Sequence, residues 1–342
     1  MRKIDVAVVG AGVMGAATAR ALARRGRTVG LFERREVGHD HGSSHGRSRI
    51  FRFSYHDPVY VRMAMEALPL WRALEAEAGE DLLTVTGGLD AGPAADVNAA
   101  ALGQVGARFE WLEPPAARER FGLAYPGGTR LLFQPDAGWL RADRAWAALS
   151  RLAVAGGAEL HENTPVEALL ARDEEVEVRA AGETVRASVA VVTAGAWSKD
   201  LLGQAGVELA VRPTRETLVY FALREGPPPP PLVEWGTPSR YALPDPAIGM
   251  KAGEHQAGPT IDPDAAGAPD GASVERLRAW VAERFPGADP EPIHVQTCLY
   301  TNTPDEDFVL ERHGNVVVGS ACSGHGFKFA PLIGERLADL AS

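Results

Sequence analysis

The sequence contains little cysteine and little lysine. Its 342 residues include two cysteines and four lysines, at positions 3, 199, 251 and 328, and the other 31 of its 35 basic residues are arginine. Two cysteines cannot form a disulfide framework, which favours a reducing compartment, so we expect a cytoplasmic protein. Where arginine is the default cation, each lysine is a candidate for a position that needs a compact ammonium group.

The sequence also lacks a net positive charge and a long apolar segment. The formal net charge is −10, which disfavours nucleic acid and anionic membrane surfaces as partners. No apolar run approaches the roughly 20 residues that span a bilayer, and the chain enters a strand at once, leaving no room for a signal peptide. At about 150 residues per domain, we expect two domains.

A strand, a glycine-rich turn and a helix open the chain. Residues 4–9, IDVAVV, form an apolar β-rich run, and Gly10, Gly12 and Gly15 follow in the spacing G-x-G-x-x-G before a helical pattern. The next strand ends at Glu33, where a carboxylate would meet the ribose hydroxyls of a dinucleotide. Glycines let the backbone approach a pyrophosphate, and a helix N-terminus attracts its charge. These features predict a dinucleotide-binding unit and leave FAD and NAD(P) open.

Seven motifs then follow one order along nearly the whole chain. They are GAGVMG, SSHGRSRIFR, FQPDAGWLRADRAW, VVTAGAW, GMKAGEH, TCLYTNTPDEDF and SGHGFKF. In these motifs the chain resembles the monomeric sarcosine oxidase and N-methyltryptophan oxidase family, which are FAD-dependent amine oxidases of the D-amino-acid-oxidase superfamily. An ordered set of motifs is far more specific than any one of its members.

The resemblance implies an α/β (α+β) fold in which a Rossmann-type FAD-binding domain is interrupted by a substrate domain with a mixed, largely antiparallel sheet. We predict the FAD-binding domain at residues 1–83, 146–212 and 296–342, and the substrate domain at 84–145 and 213–295. The sequence pattern adds an amphipathic segment from 60 to 77, a helix at about 142–155 and a buried strand in AVVTAG. We interpret the proline run at 226–231 and the loop at 259–273 as surface connections.

By the resemblance, Cys298 in TCLYT is joined through sulfur to the 8α-methyl group of FAD. A thiol suits this role because its thiolate is a strong nucleophile, above all beside positive charge. The alternative reading is an inert buried cysteine. Cys322 has no counterpart in the motifs, and we interpret it as packed. The resemblance also assigns Val166, and Gly324 and Gly326 of SGHGFKF, to flavin binding.

The stretch SHGRSRIFR supplies three more candidates, His45, Arg49 and Arg52. Their spacing fits either one side of a helical turn or a loop over the flavin. By the resemblance, His45 and Arg49 lie against the flavin ring, and Arg52 forks onto a substrate carboxylate. Three solvated charges on a surface loop are the alternative. Arg47 departs from the acidic residue that many relatives carry.

Two lysines complete the predicted site. Lys328 resembles a second carboxylate partner beside Arg52, with a salt bridge to a structural acid as the alternative. Lys251 in GMKAGEH resembles the lysine that helps oxygen react, because a buried ammonium stabilises the negative charge that oxygen gains. The resemblance further places three side chains around the substrate amine or its side chain: His255, Tyr241 and Tyr300. No histidines are spaced with cysteines or carboxylates as metal ligands are, so we predict no metal site.

The predicted reaction is oxidation of a secondary or cyclic α-amino acid to an imine, with oxygen reduced to hydrogen peroxide. We expect a monomer whose partners are a small amine substrate and oxygen. Three alternatives stay open. They are a biosynthetic tailoring oxidase of a cyclic imino acid or aromatic amine, suggested by the segment with Trp235 and Arg240, an NAD(P)-dependent dehydrogenase and a catalytically silent flavin-binding protein. We read Arg34 and Arg35 as solvated rather than as clamps for a 2′-phosphate.

Overall fold

The computed structural model describes residues 2–224 and 226–342, and this part of the chain forms 19 strands and eight α-helices. The strands are β1 (Arg2–Val9), β2 (Val29–Phe32), β3 (Ser48–Phe51), β4 (Leu83–Val85), β5 (Gly88–Ala91), β6 (Glu110–Leu112), β7 (Leu131–Gln134), β8 (Gly138–Arg141), β9 (Glu159–His161), β10 (Val166–Ala171), β11 (Val176–Ala180), β12 (Glu183–Val192), β13 (Arg212–Leu223), β14 (Leu232–Glu234), β15 (Arg240–Asp245), β16 (Gly249–Glu254), β17 (Ala288–Asn302), β18 (Val309–His313) and β19 (Val316–Ser320).

The helices connect these strands. They are α1 (Val13–Arg24), α2 (Pro58–Ala78), α3 (Ala94–Gln104), α4 (Pro114–Phe121), α5 (Ala142–Ala155), α6 (Ser198–Gln204), α7 (Gly271–Arg284) and α8 (Ala330–Leu340), with short 3-10 turns at Gly195–Trp197 and Phe327–Phe329.

The first sheet has a parallel centre in the order β9, β2, β1, β12 and β19. Its apolar strands are buried on both faces, as parallel sheets generally are. Val6 and Val8 of β1 belong to the core that includes α1, α5 and α8, while Ala7 and Val9 belong to the core on the opposite face. Strands β10 and β11 extend antiparallel from the first half of β12, and β18 pairs antiparallel with β19.

The second sheet is mixed and runs in the order β17, β13, β16, β15, β14, β5, β7 and β6. Its described pairs are antiparallel except for the parallel pair of β5 and β14. Leu277 and Trp280 of α7 pack on its core with Val219 and Phe221 of β13. A small third sheet, β3–β8–β4, is antiparallel and carries Arg49.

This architecture confirms the predicted fold class. The amphipathic segment predicted at 60–77 lies in α2, the helix at 142–155 is α5, and the predicted buried strand is β12. The segment from His45 to Arg52 enters strand β3, so the helical-turn alternative for its three basic residues is wrong. The division into domains stays a prediction: β17 pairs with β13 up to Asn302, six residues past the predicted boundary at 296.

Candidate active site

The glycine-rich turn between β1 and α1 is compact because the backbone segments at Gly10, Gly15 and Thr193 pack closely against one another. Gly10 has a φ of +94°, and a Cβ on it would lie 2.7 Å from the carbonyl oxygen of Thr193. A Cβ on Gly15 would overlap the carbonyl oxygen of Gly10, so only glycine lets α1 begin this close to the strand. Helix α1 follows Gly12 as its N-cap, and Ser44 Oγ accepts a hydrogen bond from the Val13 amide at 3.0 Å.

Glu33 closes this end of the first sheet with a buried carboxylate. It accepts hydrogen bonds from the Ala11 amide at 2.9 Å and the Arg35 amide at 3.1 Å, and His39 Nε2 lies 3.5 Å away. Burial alone would raise the pKa of Glu33, but the hydrogen bonds from His39 and Ala11 outweigh it and hold the pKa below its ordinary value. The group is therefore an anion that is already fixed against the glycine-rich turn.

A cavity of about 950 Å³ runs from this turn to the face of the second sheet. Ligand sites in proteins occupy roughly 300–1,000 Å³, so this volume suits an extended dinucleotide and a small molecule together. Most residues predicted for the site line the cavity: Gly10, Gly12, Glu33, Arg49, Arg52, Val166, Tyr241, Lys251, His255, Cys298, Tyr300, Gly324, Gly326 and Lys328. His45 and Gly15 do not line it.

Lys251 lies at the middle of the cavity with its side chain buried. Its Nζ donates a hydrogen bond to the carbonyl oxygen of Ser48 at 2.6 Å, and the residue is 2% exposed. Burial, with the nearby charge of Arg49, lowers the pKa of Lys251 to about 7. The side chain does not reach for solvent, as an ordinary strand lysine does.

Arg49 is held beside Lys251 by backbone carbonyls. Its Nη1 donates to Ser48 O at 2.9 Å, and its Nη2 donates to Ser43 O at 2.9 Å and His45 O at 2.5 Å. None of these acceptors carries a full charge, so the guanidinium keeps its positive field in the cavity. Burial and the charge of Arg49 lower the pKa of His45 to about 4, and His45 Nε2 is buried without a hydrogen-bond partner in the described residues.

Both cysteines border the cavity and neither forms a disulfide. Cys298 is 6% exposed, and its Sγ lies 3.7 Å from Leu299 O. Burial raises the pKa of the Cys298 thiol, although Arg49 and Lys251 act in the opposite direction. The Cys322 Sγ accepts a hydrogen bond from the Thr301 amide at 3.3 Å. Cys322, which we interpreted as packed, is therefore only partly buried and forms part of the cavity wall.

Arg52 lies at the far end of the cavity between two aromatic rings. Its Cζ is 4.6 Å from the centroid of the Tyr55 ring and 5.0 Å from that of Trp235. Nη1 donates to Ser54 O at 2.6 Å and lies 3.4 Å from Asp90 Oδ1. Nε and Nη2 donate no hydrogen bond to any residue that the structure describes.

Lys328 stands beside Arg52 on the other side of Tyr55. Its Nζ donates to Tyr55 Oη at 2.8 Å and to His325 O at 2.6 Å. Burial and the charge of Arg52 hold the pKa of Lys328 well below its ordinary value. The predicted alternative, a salt bridge to a structural acid, has no counterpart among the ion pairs of residues 2–224 and 226–342.

The remaining predicted side chains form one wall of the same end. The hydroxyls of Tyr241 and Tyr300 lie 3.4 Å apart, and the ring of His255 lies 5.8 Å from that of Tyr300. Gly324, with a φ of +76°, leaves no room for a Cβ because the Tyr300 ring packs against it. The hydrogen bond with His255 lowers the pKa of Glu306, whose Oε2 is 3.7 Å from His255 Nε2.

Three residues at this end were not predicted as site residues: Tyr55, Asp90 and His325. An acid inside the apolar strand GLDA was the one available signal for Asp90, because strand interiors rarely hold an unpaired carboxylate. His325 lies within the motif SGHGFKF and Tyr55 follows SSHGRSRIFR by three residues, but neither residue was assigned a role from the motifs. Arg34, interpreted as solvated, pairs with Asp264 at 3.1 Å and stacks on Trp197 at 5.0 Å, although it remains half exposed.

Residues 2–224 and 226–342 contain no group of three or more histidine, cysteine or carboxylate side chains placed to hold a metal ion. Within the same residues, no helix has the length and apolar character needed to cross a membrane.

The fold and this cavity define a flavin-dependent oxidoreductase, and comparison with known proteins agrees. Residues 5–340 match the model of the FAD dependent oxidoreductase (DAO) family. A probable sarcosine oxidase of Arabidopsis thaliana is 35% identical over 369 residues, covering 99% of this chain and 88% of that protein. The monomeric sarcosine oxidase of Bacillus sp. (strain NS-129) is 34% identical over 360 residues, covering 99% and 92%.

The solved structure of NikD, an unusual amino acid oxidase essential for nikkomycin biosynthesis, matches with a TM-score of 0.91 at 30% identity, covering 100% of this chain and 94% of NikD. The chain belongs to the FAD dependent oxidoreductase family. The predicted resemblance and the prediction of a flavin-dependent amine oxidase are confirmed.

The residues at the dinucleotide end fit FAD. Gly10 and Gly12 line the cavity and have no side chain, so a pyrophosphate can approach the backbone at the start of α1. Glu33 stands at the strand end where ribose hydroxyls are bound in this fold. Val166 lines the same end of the cavity.

Replacing Lys328 by methionine should stabilise the protein while it damages the site. A buried ammonium without an acidic partner costs folding free energy, so we expect Lys328→Met to raise the free energy of unfolding by about 1–3 kcal/mol at neutral pH. The gain should shrink as the pH rises towards 10.5, because the lysine of the unfolded wild type then also loses its proton. Urea unfolding of both FAD-loaded proteins between pH 7 and pH 10 measures the difference in the free energy of unfolding.

Lys199→Met, at an exposed position, is the control. A loss of stability in Lys328→Met would show that the charge is compensated.

Proposed function

We propose that the protein is an FAD-dependent oxidase of a secondary or cyclic α-amino acid. It converts the C–N bond of its substrate to an imine and reduces oxygen to hydrogen peroxide. The observation that carries the proposal is a pair of cations at the far end of the cavity, the buried Lys328 and the largely buried Arg52. Lys328 has no acidic partner, and Arg52 has a donor edge without an acceptor in the described residues.

This pair supports a substrate with a carboxylate. Two cations in a largely water-free site attract one anion strongly, and Nε and Nη2 of Arg52 form the fork that matches a carboxylate. Tyr55 lies between the two cations, with its ring stacked on Arg52 and its hydroxyl bonded to Lys328. These contacts would hold the substrate carboxylate at one position beside Arg52 and Lys328.

The wall opposite the cations suits an apolar amine. Tyr241 and Tyr300 present their hydroxyls side by side, and Leu218 and Leu243 line the cavity near them. Burial raises the pKa of both tyrosines, so both keep their protons at neutral pH. The hydroxyls can donate to or accept from the substrate, while His255 remains paired with Glu306.

FAD, when bound, would accept the two electrons of the C–H bond next to the substrate nitrogen. The turn at Gly10 and Gly12, with Glu33, would hold its dinucleotide part. Arg49 would place a positive charge beside the ring system, and we retain His45 there as a proposal although it does not line the cavity. A fixed cation favours the electron-rich form of a bound ring.

Lys251 would assist the reaction with oxygen. Its ammonium is buried, is anchored by one neutral carbonyl and is free of any ion pair among the described residues. A positive charge fixed in such a site stabilises the negative charge that develops on oxygen, and it needs no reorganisation when the charge appears.

We also propose a covalent link through Cys298. Its thiol is buried in the cavity wall, near Arg49 and Lys251, whose charges favour the thiolate against the effect of burial.

We retain a cytoplasmic monomer as part of the proposal, in line with the monomeric sarcosine oxidase among the relatives. The domain boundaries given above belong to it as well.

A biosynthetic tailoring oxidase of a cyclic imino acid or aromatic amine is the second candidate. The structural likeness to NikD favours it, as does Trp235, which presents a flat indole to the substrate end of the cavity. Both candidates use the same carboxylate site, so they differ in the preferred substrate and not in the role of the cations.

A panel of amino acids tests the proposal. We expect peroxide from sarcosine, proline or another N-methyl or cyclic amino acid, with kcat/KM roughly a hundredfold above that of the amine lacking the carboxylate. Arg52→Met should lower kcat/KM for the amino acid by a similar factor and leave that of the amine unchanged. Peroxide assays with purified protein provide the measurement. If no member of the panel produced peroxide, or if carboxylate and amine were oxidised equally, the proposal would fail.

Cys298→Ser tests the covalent link. We expect the acid-precipitated wild type to stay yellow and the precipitate of Cys298→Ser to be colourless, because serine cannot form the thioether. Absorbance of the redissolved pellet measures the retained flavin. Cys322→Ser, which changes the other cavity cysteine, is the matched control and should stay yellow. Yellow pellets from Cys298→Ser would assign the link elsewhere.

Lys251→Met tests the oxygen step. The pKa of Lys251 is lowered to about 7, so its charge is present below that pH and is lost above it. We expect reoxidation of the substrate-reduced wild type by oxygen to slow as the pH rises through 7. In Lys251→Met, reoxidation should be at least roughly tenfold slower at pH 6 and independent of pH, while anaerobic reduction is spared. Stopped-flow absorbance resolves the two half-reactions. Equal losses in both would contradict the assigned role.

A further inference from the structure

Asp90 is a buried carboxylate that accepts from four donors. It lies in β5, is 1% exposed, and does not line the cavity. The donors are Ser54 Oγ at 2.5 Å, Trp235 Nε1 at 2.7 Å, Asn98 Nδ2 at 3.2 Å and Arg52 Nη1 at 3.4 Å. Three of these donors, those of Trp235, Asn98 and Arg52, reach Oδ1, and Ser54 Oγ reaches Oδ2. The negative charge of an ionised carboxylate makes such hydrogen bonds stronger than those to a neutral amide oxygen. The sequence neighbours of Asp90 do not provide these donors, except for Asn98 on the following helix α3.

Two of the donors line the cavity, namely Arg52 and Trp235. Asp90 thus contacts both a cation proposed to bind substrate and the indole that covers it. The N–H of Trp235 fixes its ring. The Arg52 guanidinium packs against the rings of Tyr55 and Trp235, and its Nη1 contacts Ser54 O and Asp90. The guanidinium is left with one unbound edge, Nε and Nη2.

We propose that Asp90 is a positioning residue that holds Arg52 between Tyr55 and Trp235 before the substrate carboxylate arrives. This inference rests on the proposed function, because it assigns Asp90 to the same carboxylate site. Asp90 does not touch the substrate and acts through Arg52 and Trp235. Orienting the guanidinium in advance fixes the pose of the carboxylate, and with it the distance of the reacting C–H bond from the cofactor.

The charge of Asp90 has a second effect on the site. Arg52 and Lys328 contribute two positive charges and Asp90 one negative charge, so the cluster matches a single carboxylate. Loss of the negative charge of Asp90 would strengthen the electrostatic attraction of the site for an anion. Loss of its contact with Arg52 would weaken the hydrogen bonds between the guanidinium and the substrate carboxylate. The two effects have opposite signs on the affinity for the substrate. They do not cancel in kcat, because kcat depends on how the bound substrate is oriented towards the cofactor.

Asp90→Asn should therefore separate kcat from KM. With the best amino acid of the panel, we expect kcat to fall about tenfold and KM to change less than threefold. The measurements are steady-state kinetics of the FAD-loaded enzyme, with flavin content and unfolding midpoint recorded to exclude misfolding. A kcat within twofold of the wild type would overturn the proposal.

Trp235→Phe supplies a test that does not depend on turnover. Phenylalanine keeps a ring over Arg52 and changes no charge, but it lacks the N–H that Asp90 fixes. Calorimetric titration of the holoenzyme with 2-furoate, a small unreactive carboxylate, should give a Kd three- to tenfold higher than in the wild type. The Kd of uncharged 2-furamide should be unchanged. Equal Kd values of 2-furoate in both proteins would contradict the inference.

Glu216→Gln is the matched control. Glu216 is equally buried and accepts from Thr214 Oγ1 and from the amides of Ala257 and Gly258. None of these donors lines the cavity, so both readouts should stay at wild-type values. The two proposals fail in different ways. If the wild type oxidises no amino acid, the proposed function is wrong, and the 2-furoate titration still decides whether Trp235 and Asp90 position an anion site.

Discussion

The site depends on burying cations without giving each one an acid. Lys251 and Lys328 are almost fully buried, and their partners are two carbonyl oxygens and one hydroxyl. Removing an ammonium group from water costs several kcal/mol, roughly, and neutral acceptors return only part of it. The two buried ammonium groups therefore lower the stability of the fold, and they create a positive electrostatic potential inside the cavity. That field is what a carboxylate, an electron-rich ring and reduced oxygen all require.

The short strand β3 brings this field into the cavity. The carbonyl oxygen of Ser48, at the start of β3, accepts a hydrogen bond from Lys251 of the second sheet. Arg49 donates to the carbonyl oxygen of Ser43, and the adjacent Ser44 accepts from the first amide of α1. Arg47 pairs with the buried Asp245 of β15 at 2.9 Å and ties the same segment to the second sheet. One stretch of backbone thus links the dinucleotide end to the proposed substrate end, and the ion pair of Arg47 with Asp245 reinforces this link.

Local patterns were enough to predict the parts that are contiguous in sequence. The glycine spacing and Glu33 predicted the dinucleotide end, and the apolar periodicity predicted α2 and α5. Most of the site residues that the ordered motifs predicted line the cavity. Asp90 could not be predicted, because its partners come together only when β5 pairs in parallel with β14, more than 140 residues away in the chain. The wall position of Cys322 and the inward pairing of Tyr55 with Lys328 likewise arise from tertiary packing, which no local pattern encodes.

The two cations that we propose to bind the carboxylate also differ in a way that their chemistry explains. Arginine stays protonated at any physiological pH, so a largely buried guanidinium needs a compensating charge. Arg52 has one in Asp90 at 3.4 Å, although burial raises the pKa of that carboxyl. Lysine can release its proton. Burial and the charge of Arg52 hold the pKa of Lys328 well below its ordinary value. An arriving carboxylate would raise that pKa again. In the proposed site, Arg52 would therefore supply a charge that does not depend on pH, and Lys328 a charge that a bound carboxylate stabilises.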